Sequence, residues 1–120
     1  MSKNIVVIED NMFFSSKFTP VLKNLGYTPK IISFVKPTTP EKIKEINPEL
    51  IIINIESRAN NPINLIKELK EQNPDYKIVG YCGHGNINAM EQAKQAGIDL
   101  VVSNGVISSQ LPQIIKELIS

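Results

Sequence analysis

Apolar residues come along this chain in short, unbroken runs. Leu50-Ile51-Ile52-Ile53 is the clearest, and Ile5-Val6-Val7-Ile8 is a second. Such runs are too short for a lone helix and show no polar alternation. That is the pattern of strands buried on both faces, as in the middle of a parallel sheet. Three more strands are predicted. Pro29 to Val35 carries Pro29 and Lys30, which suit a sheet edge better than its centre. Lys77 to Cys82 has Ile78 and Val79 as its buried residues, and Leu100-Val101-Val102 is the fifth strand.

Helical spacing fills the intervals. Phe14, Phe18, Val21, Leu22 and Leu25 recur every three or four residues and line one face, with Gly26 as the stop. Pro20 lies inside this helix and is expected to bend it near Ser16 to Pro20. Thr39 is expected to cap a short helix starting at Pro40, with Ile43 and Ile46 facing inward. Asn61-Pro62 opens a third helix around Leu65, Ile66 and Leu69. Ile87, Met90 and Ala93 form the apolar face of a fourth, ended by Gly97. Ser108 or Ser109 caps a fifth, with Leu111, Ile114, Ile115 and Leu118 on one side and Pro112 in its first turn. Five strand-helix repeats imply an α/β fold: a doubly wound, five-stranded parallel sheet with helices on both faces and right-handed connections. We expect residues 1–120 to form one domain, with no internal repeat, low-complexity segment or linker.

Composition narrows the class. The chain has 120 residues, 42% of them hydrophobic, which suits one compact core. Thirteen basic and twelve acidic residues leave a net charge of +1, so nothing points to nucleic acid or an anionic membrane. No apolar run approaches the roughly 20 residues of a membrane span. A secretory leader is not expected, because the first residues read straight into a strand. The one cysteine, Cys82, rules out an internal disulfide framework and fits a reducing cytoplasm.

In open parallel sheets the chemistry sits beyond the carboxyl ends of the strands. The residues expected there are Glu9 and Asp10 after the first strand and Asn54 after the third. The fourth contributes Cys82, with Gly83 and His84 beyond it, and the fifth contributes Ser103 and Asn104.

In order and spacing, these segments resemble the receiver domains of two-component response regulators. IVVIEDN resembles the acidic first-strand motif, and LKNLGY the end of the first helix. NPELIIINIES resembles the strand that carries the phosphoacceptor aspartate. GYCGHGN resembles the stretch that usually reads threonine or serine, then alanine, and AKQAGIDLVVSNG the segment that ends in lysine-proline. The resemblance implies a flavodoxin-like sheet with strand order 2-1-3-4-5, in agreement with the edge character of the second strand. It also exposes departures. Asn54 stands where the family has its phosphoacceptor aspartate, and an amide cannot form the acyl phosphate. Cys82 replaces the hydroxyl residue, Asn104 the lysine that meets the phosphoryl oxygens, and Val101 the aromatic residue that reports phosphorylation. These concordant losses imply a pseudo-receiver without catalytic residues. Glu9 and Asp10 keep the acidic pair. Two carboxylates are expected to hold magnesium weakly and no other cofactor, and they read as solvated residues at a strand end.

Other candidates have plain readings. Cys82 and His84 are expected to be a buried, inert thiol and an exposed loop histidine within a flexible Gly83-to-Asn86 turn. Glu56, two residues beyond Asn54, has no lysine to assist it as a substitute acceptor. Arg58, Lys67, Lys70 and Lys77 read as solvated surface. Tyr81, Val106 and Ile107 are either exposed residues of a partner face or tucked against the domain's own core. The resemblance implies a signalling partner, on the side formed by the fourth helix, fifth strand and fifth helix. The expectation is a cytoplasmic, non-enzymatic interaction module that works without aspartyl phosphorylation. One alternative is a small-molecule or ion sensor using the cleft around Asp10, Asn54 and Asn104. Another is a phospho-accepting receiver.

Overall fold

The computed structural model describes residues 3–119; Met1, Ser2 and Ser120, part of the expected 1–120 domain, lie outside the described residues. The elements in chain order are β1 (Asn4–Ile8), α1 (Met12–Asn24), β2 (Thr28–Ile32), α2 (Thr39–Ile46) and β3 (Leu50–Asn54). They continue with α3 (Pro62–Gln72), β4 (Ile78–Cys82), α4 (Ile87–Gln95), β5 (Leu100–Ser103) and α5 (Asn104–Ile119). The strands form one sheet in the order β2-β1-β3-β4-β5, and every pairing is parallel. Leu50 to Ile53 lies at the centre, in register with Ile5 to Ile8 on one side, and Ile51 to Ile53 pair with Ile78 to Gly80 on the other.

Side chains alternate across the sheet, so each central strand feeds two cores. Val6, Ile8, Ile51, Ile53, Ile78 and Cys82 face Ile43 of α2, Leu65, Ile66 and Leu69 of α3, and Ala93 of α4. Ile5, Val7, Leu50, Ile52, Val79 and Tyr81 face Phe18 and Leu22 of α1 and the buried side of α5. Gly80 keeps the middle of β4 narrow: a Cβ there would lie 2.6 Å from Ile55 and 2.7 Å from Ile98.

Several local expectations are corrected. The second strand starts at Thr28 and ends at Ile32, short of Val35. Beyond it the chain is held by the buried Asn60, whose Oδ1 accepts from Val35 N–H at 2.9 Å and whose Nδ2 donates to the Ser33 carbonyl at 3.0 Å. Thr39 is the first residue of α2 rather than its cap, and its buried hydroxyl accepts from Lys36 N–H at 2.8 Å. Helix α1 does hold Pro20 inside it, as expected. The Ser16 carbonyl that Pro20 cannot satisfy belongs to an exposed residue. Ile87 opens α4 but is exposed rather than part of its inner face. Gln110 divides the fifth helix in two, the second part beginning beside the expected start at Ser108 or Ser109, and the whole helix starts earlier, at Asn104 directly after β5. Ser103 caps it, its Oγ accepting from Val106 N–H at 3.2 Å. The helix kinks at Gln110 (φ −122°, ψ 21°), two residues before Pro112, whose ring excludes regular helix in the preceding turn.

Candidate functional site

Residue alternation places three polar groups on one side of the sheet. Glu9 continues the face of Ile5 and Val7, Asn54 that of Leu50 and Ile52, and Tyr81 that of Val79. Asn54 and Tyr81 are register partners across β3 and β4. All three meet beneath α1. Glu9 is 1% exposed. Asn54 Nδ2 donates to both of its oxygens, at 3.2 and 3.1 Å. The Tyr81 hydroxyl donates to Glu9 Oε1 through a short hydrogen bond. The Asn11 N–H donates to Oε2 at 3.0 Å. Glu9 is therefore not a solvated acid at a strand end. Its carboxylate is filled by neutral donors, which is how a buried acid avoids the cost of an unpaired charge.

Tyr81 is wholly buried, as is Ile107, and Val106 is half-buried, so these residues form no exposed partner face. The Tyr81 ring lies 5.5 Å from Phe18 in an edge-on arrangement and 5.7 Å from Phe14. Burial, the bond to Glu9 and the charges of Glu9 and Asp10 all push its phenol pKa well above the ordinary range. Asp10 is half-buried.

A second group forms on the loop side. Asn54 Oδ1 accepts from Glu56 N–H at 2.8 Å. Glu56 then accepts from Gly83 N–H at 2.7 Å and from Asn86 Nδ2 at 2.6 Å. Asn86 caps α4, its Oδ1 accepting from Ala89 N–H at 3.1 Å. The Gly83-to-Asn86 turn, read as flexible, is thus tied at both ends to one carboxylate. Cys82 is buried in the opposite core, and burial together with Glu56 raises its thiol pKa. His84 is exposed, so the two form no dyad. Val101 is half-buried against the α2-α3-α4 core, and Asn104 is half-buried at the first position of α5. Lys70 is not free surface: it pairs with Asp99 and donates to the Tyr76 carbonyl, at 2.8 and 2.6 Å.

The donor set does not suit a divalent cation. Among the described residues, no group of three or more His, Cys, Asp and Glu side chains is placed to hold a metal. The Glu9 oxygens already accept from Asn54, Tyr81 and Asn11. Grooves of about 220, 400 and 390 Å³ lie beside Lys36 and Asn64, between Tyr27 and Lys116, and beside Asn47 and Tyr76. None of the three touches Asp10, Asn54 or Asn104. Met12, Phe13, Phe34 and Ile87 are exposed at the same carboxyl end of the sheet. Among the described residues, no helix is long and apolar enough to cross a membrane.

The fold is that of CheY-like receiver domains. No family model matches the sequence. The chain is similar to the chemotaxis protein CheY of Thermotoga maritima, with 25% identity over 97 residues covering 81% of each chain. Its fold superposes on a response regulator receiver domain from Bermanella marisrubri with a TM-score of 0.85, at 19% identity over the whole of both chains. A response regulator from Burkholderia pseudomallei, solved with a phosphorylated aspartic acid, a calcium ion and citrate, gives a TM-score of 0.80 at 22% identity. That likeness covers 99% of this chain and 67% of the other.

The sequence missed Tyr81 as a site residue. Its signal was parity: Glu9, Asn54 and Tyr81 fall on the same face of three neighbouring strands.

Proposed function

We propose that this receiver-like domain is a protein-interaction module of two-component signalling that works without aspartyl phosphorylation. One observation carries the reading: the Asn54 amide donates to the Glu9 carboxylate. An amide is a poor nucleophile, and its N–H groups occupy the acid that would otherwise face a cation. Cys82 is buried and Asn104 is neutral, so neither replaces the hydroxyl or the positive charge of a phosphotransfer site. The calcium of the Burkholderia protein accompanies a phosphorylated aspartate, and Asn54 offers no such group. Magnesium is therefore not a cofactor of this domain. The partner is a signalling protein, and the proposed contact is the α4-β5-α5 side, where Ile87 is a large exposed hydrophobic residue. The domain acts in the cytoplasm and has no enzymatic role.

The test is incubation with magnesium and acetyl phosphate, followed by intact-mass measurement. The expected result is no hydroxylamine-sensitive adduct. A stoichiometric phosphoryl adduct on the chain would overturn the proposal.

A further inference from the structure

An unbroken series of hydrogen bonds crosses the rim. It starts at the buried Tyr81 hydroxyl, passes to Glu9, and continues through both ends of the Asn54 amide to the Glu56 backbone. The Glu56 carboxylate then holds Gly83 N–H and the Asn86 side chain, and Asn86 caps the first turn of α4. At its other end the series is packed by α1. The Phe14 and Phe18 rings lie against Tyr81, and Phe14 also meets the exposed Phe13 ring edge-on at 5.8 Å. Each amide is used at both ends, so no member can turn without breaking a bond on each side. Glu9 is the fixed point, because its 1% exposure leaves no water to replace a lost donor.

We propose that this series is a coupling device that joins the start of α1 to the start of α4. Tyr81 is its positioning residue. Repacking of the exposed Met12-Phe13 end of α1 displaces the Tyr81 hydroxyl, loosens Glu9 and Asn54, and releases the loop that sets the first turn of α4. The reverse also holds, since coupling between two sites is reciprocal. The device lies on strand β4, in the α1-α5 core, and uses neither Cys82 nor Val101. It stands whether or not the chain accepts phosphate.

The test measures both directions. In the first, amide hydrogen exchange is followed in residues 83–89 of wild type and Tyr81→Phe. Removing the one hydroxyl is expected to speed exchange there by about threefold or more beyond the increase that lost global stability gives the amides of α3. In the second, the protein carries 3-fluorotyrosine at its three tyrosines, and Tyr81→Phe assigns one fluorine signal. Glu56→Ala, a change at an exposed side chain, is expected to shift that Tyr81 signal. Exchange in residues 83–89 that rises no more than that of α3 overturns the proposal, and so does a Tyr81 signal that ignores Glu56→Ala. Should Tyr81→Phe fail to fold, the Glu56→Ala measurement decides alone, with the Tyr81 signal assigned by excluding those lost in Tyr27→Phe and Tyr76→Phe.

Discussion

Two carboxylates serve this sheet at opposite ends and are satisfied in opposite ways. Asp99, at the amino end of β5, meets a charge: Lys70 Nζ lies 2.8 Å away, and the same oxygen accepts from Ile78 N–H at 2.8 Å. Both side chains keep contact with water, at 17% and 25% exposure. Glu9, at the carboxyl end of β1, is sealed off and meets the Asn54 amide, the Tyr81 hydroxyl and a backbone N–H. The wet pair gains little from its charges and loses little when broken. The dry acid depends on every donor it has, because nothing replaces them. At Glu9 the chain's own neutral side chains supply the bonds, and the acid is turned inward.

The largest effect is expected from Asn54→Asp. It places a second carboxylate about 3 Å from Glu9 and removes the amide donor, at a cost on the order of 3 kcal/mol near neutral pH. Like-charge repulsion raises the folded-state pKa of the pair. The variant's deficit should therefore shrink as pH falls, and urea melts at pH 5 and pH 7.5 would check this. A deficit independent of pH would place residue 54 away from Glu9.

Tyr81→Phe comes next. The ring packing stays and one donor goes, so about 1–3 kcal/mol should be lost in the same melts. This variant also isolates a pH effect. The folded-state pKa of Tyr81 is raised above its ordinary value of 10.0, so above that value the unfolded chain releases a proton that the folded chain keeps. Stability must then fall as pH rises, by up to about 1.4 kcal/mol per pH unit. In Tyr81→Phe the decline above pH 10 should be shallower. Equal slopes would mean that the phenol ionises without unfolding the protein.

Lys70→Met should have the smallest effect, about 0.5–1 kcal/mol, and that effect should weaken further in high salt. A loss as large as that of Tyr81→Phe would erase the distinction between the two acids.

The unequal legibility of these regions has physical causes. Leu50 to Ile53 and Ile5 to Ile8 announced a buried parallel sheet because each run is apolar on both faces. Pro29 and Lys30 marked β2 as an edge. Asn54 was found because polarity resumes abruptly at a strand end. Tyr81 was left open between core and surface for the opposite reason. In a strand buried on both faces nothing alternates, so a tyrosine near the rim reads equally well as core or as surface. Only its parity with Glu9 and Asn54 points inward. The start of α5 was obscured because Ser103-Asn104-Gly105 has the composition of a turn, whereas Ser103 caps a helix that leaves the sheet without a loop.

We propose that Glu9 is closed to metal by the chain's own donors. Thermal unfolding with and without millimolar magnesium tests it most directly, using wild type and Asn54→Asp side by side. The account predicts no magnesium-dependent change in the Tm of wild type and a rise in that of Asn54→Asp, where a second carboxylate faces Glu9 and the amide clamp is gone. A wild-type Tm that rises with magnesium as much as the variant's would contradict it.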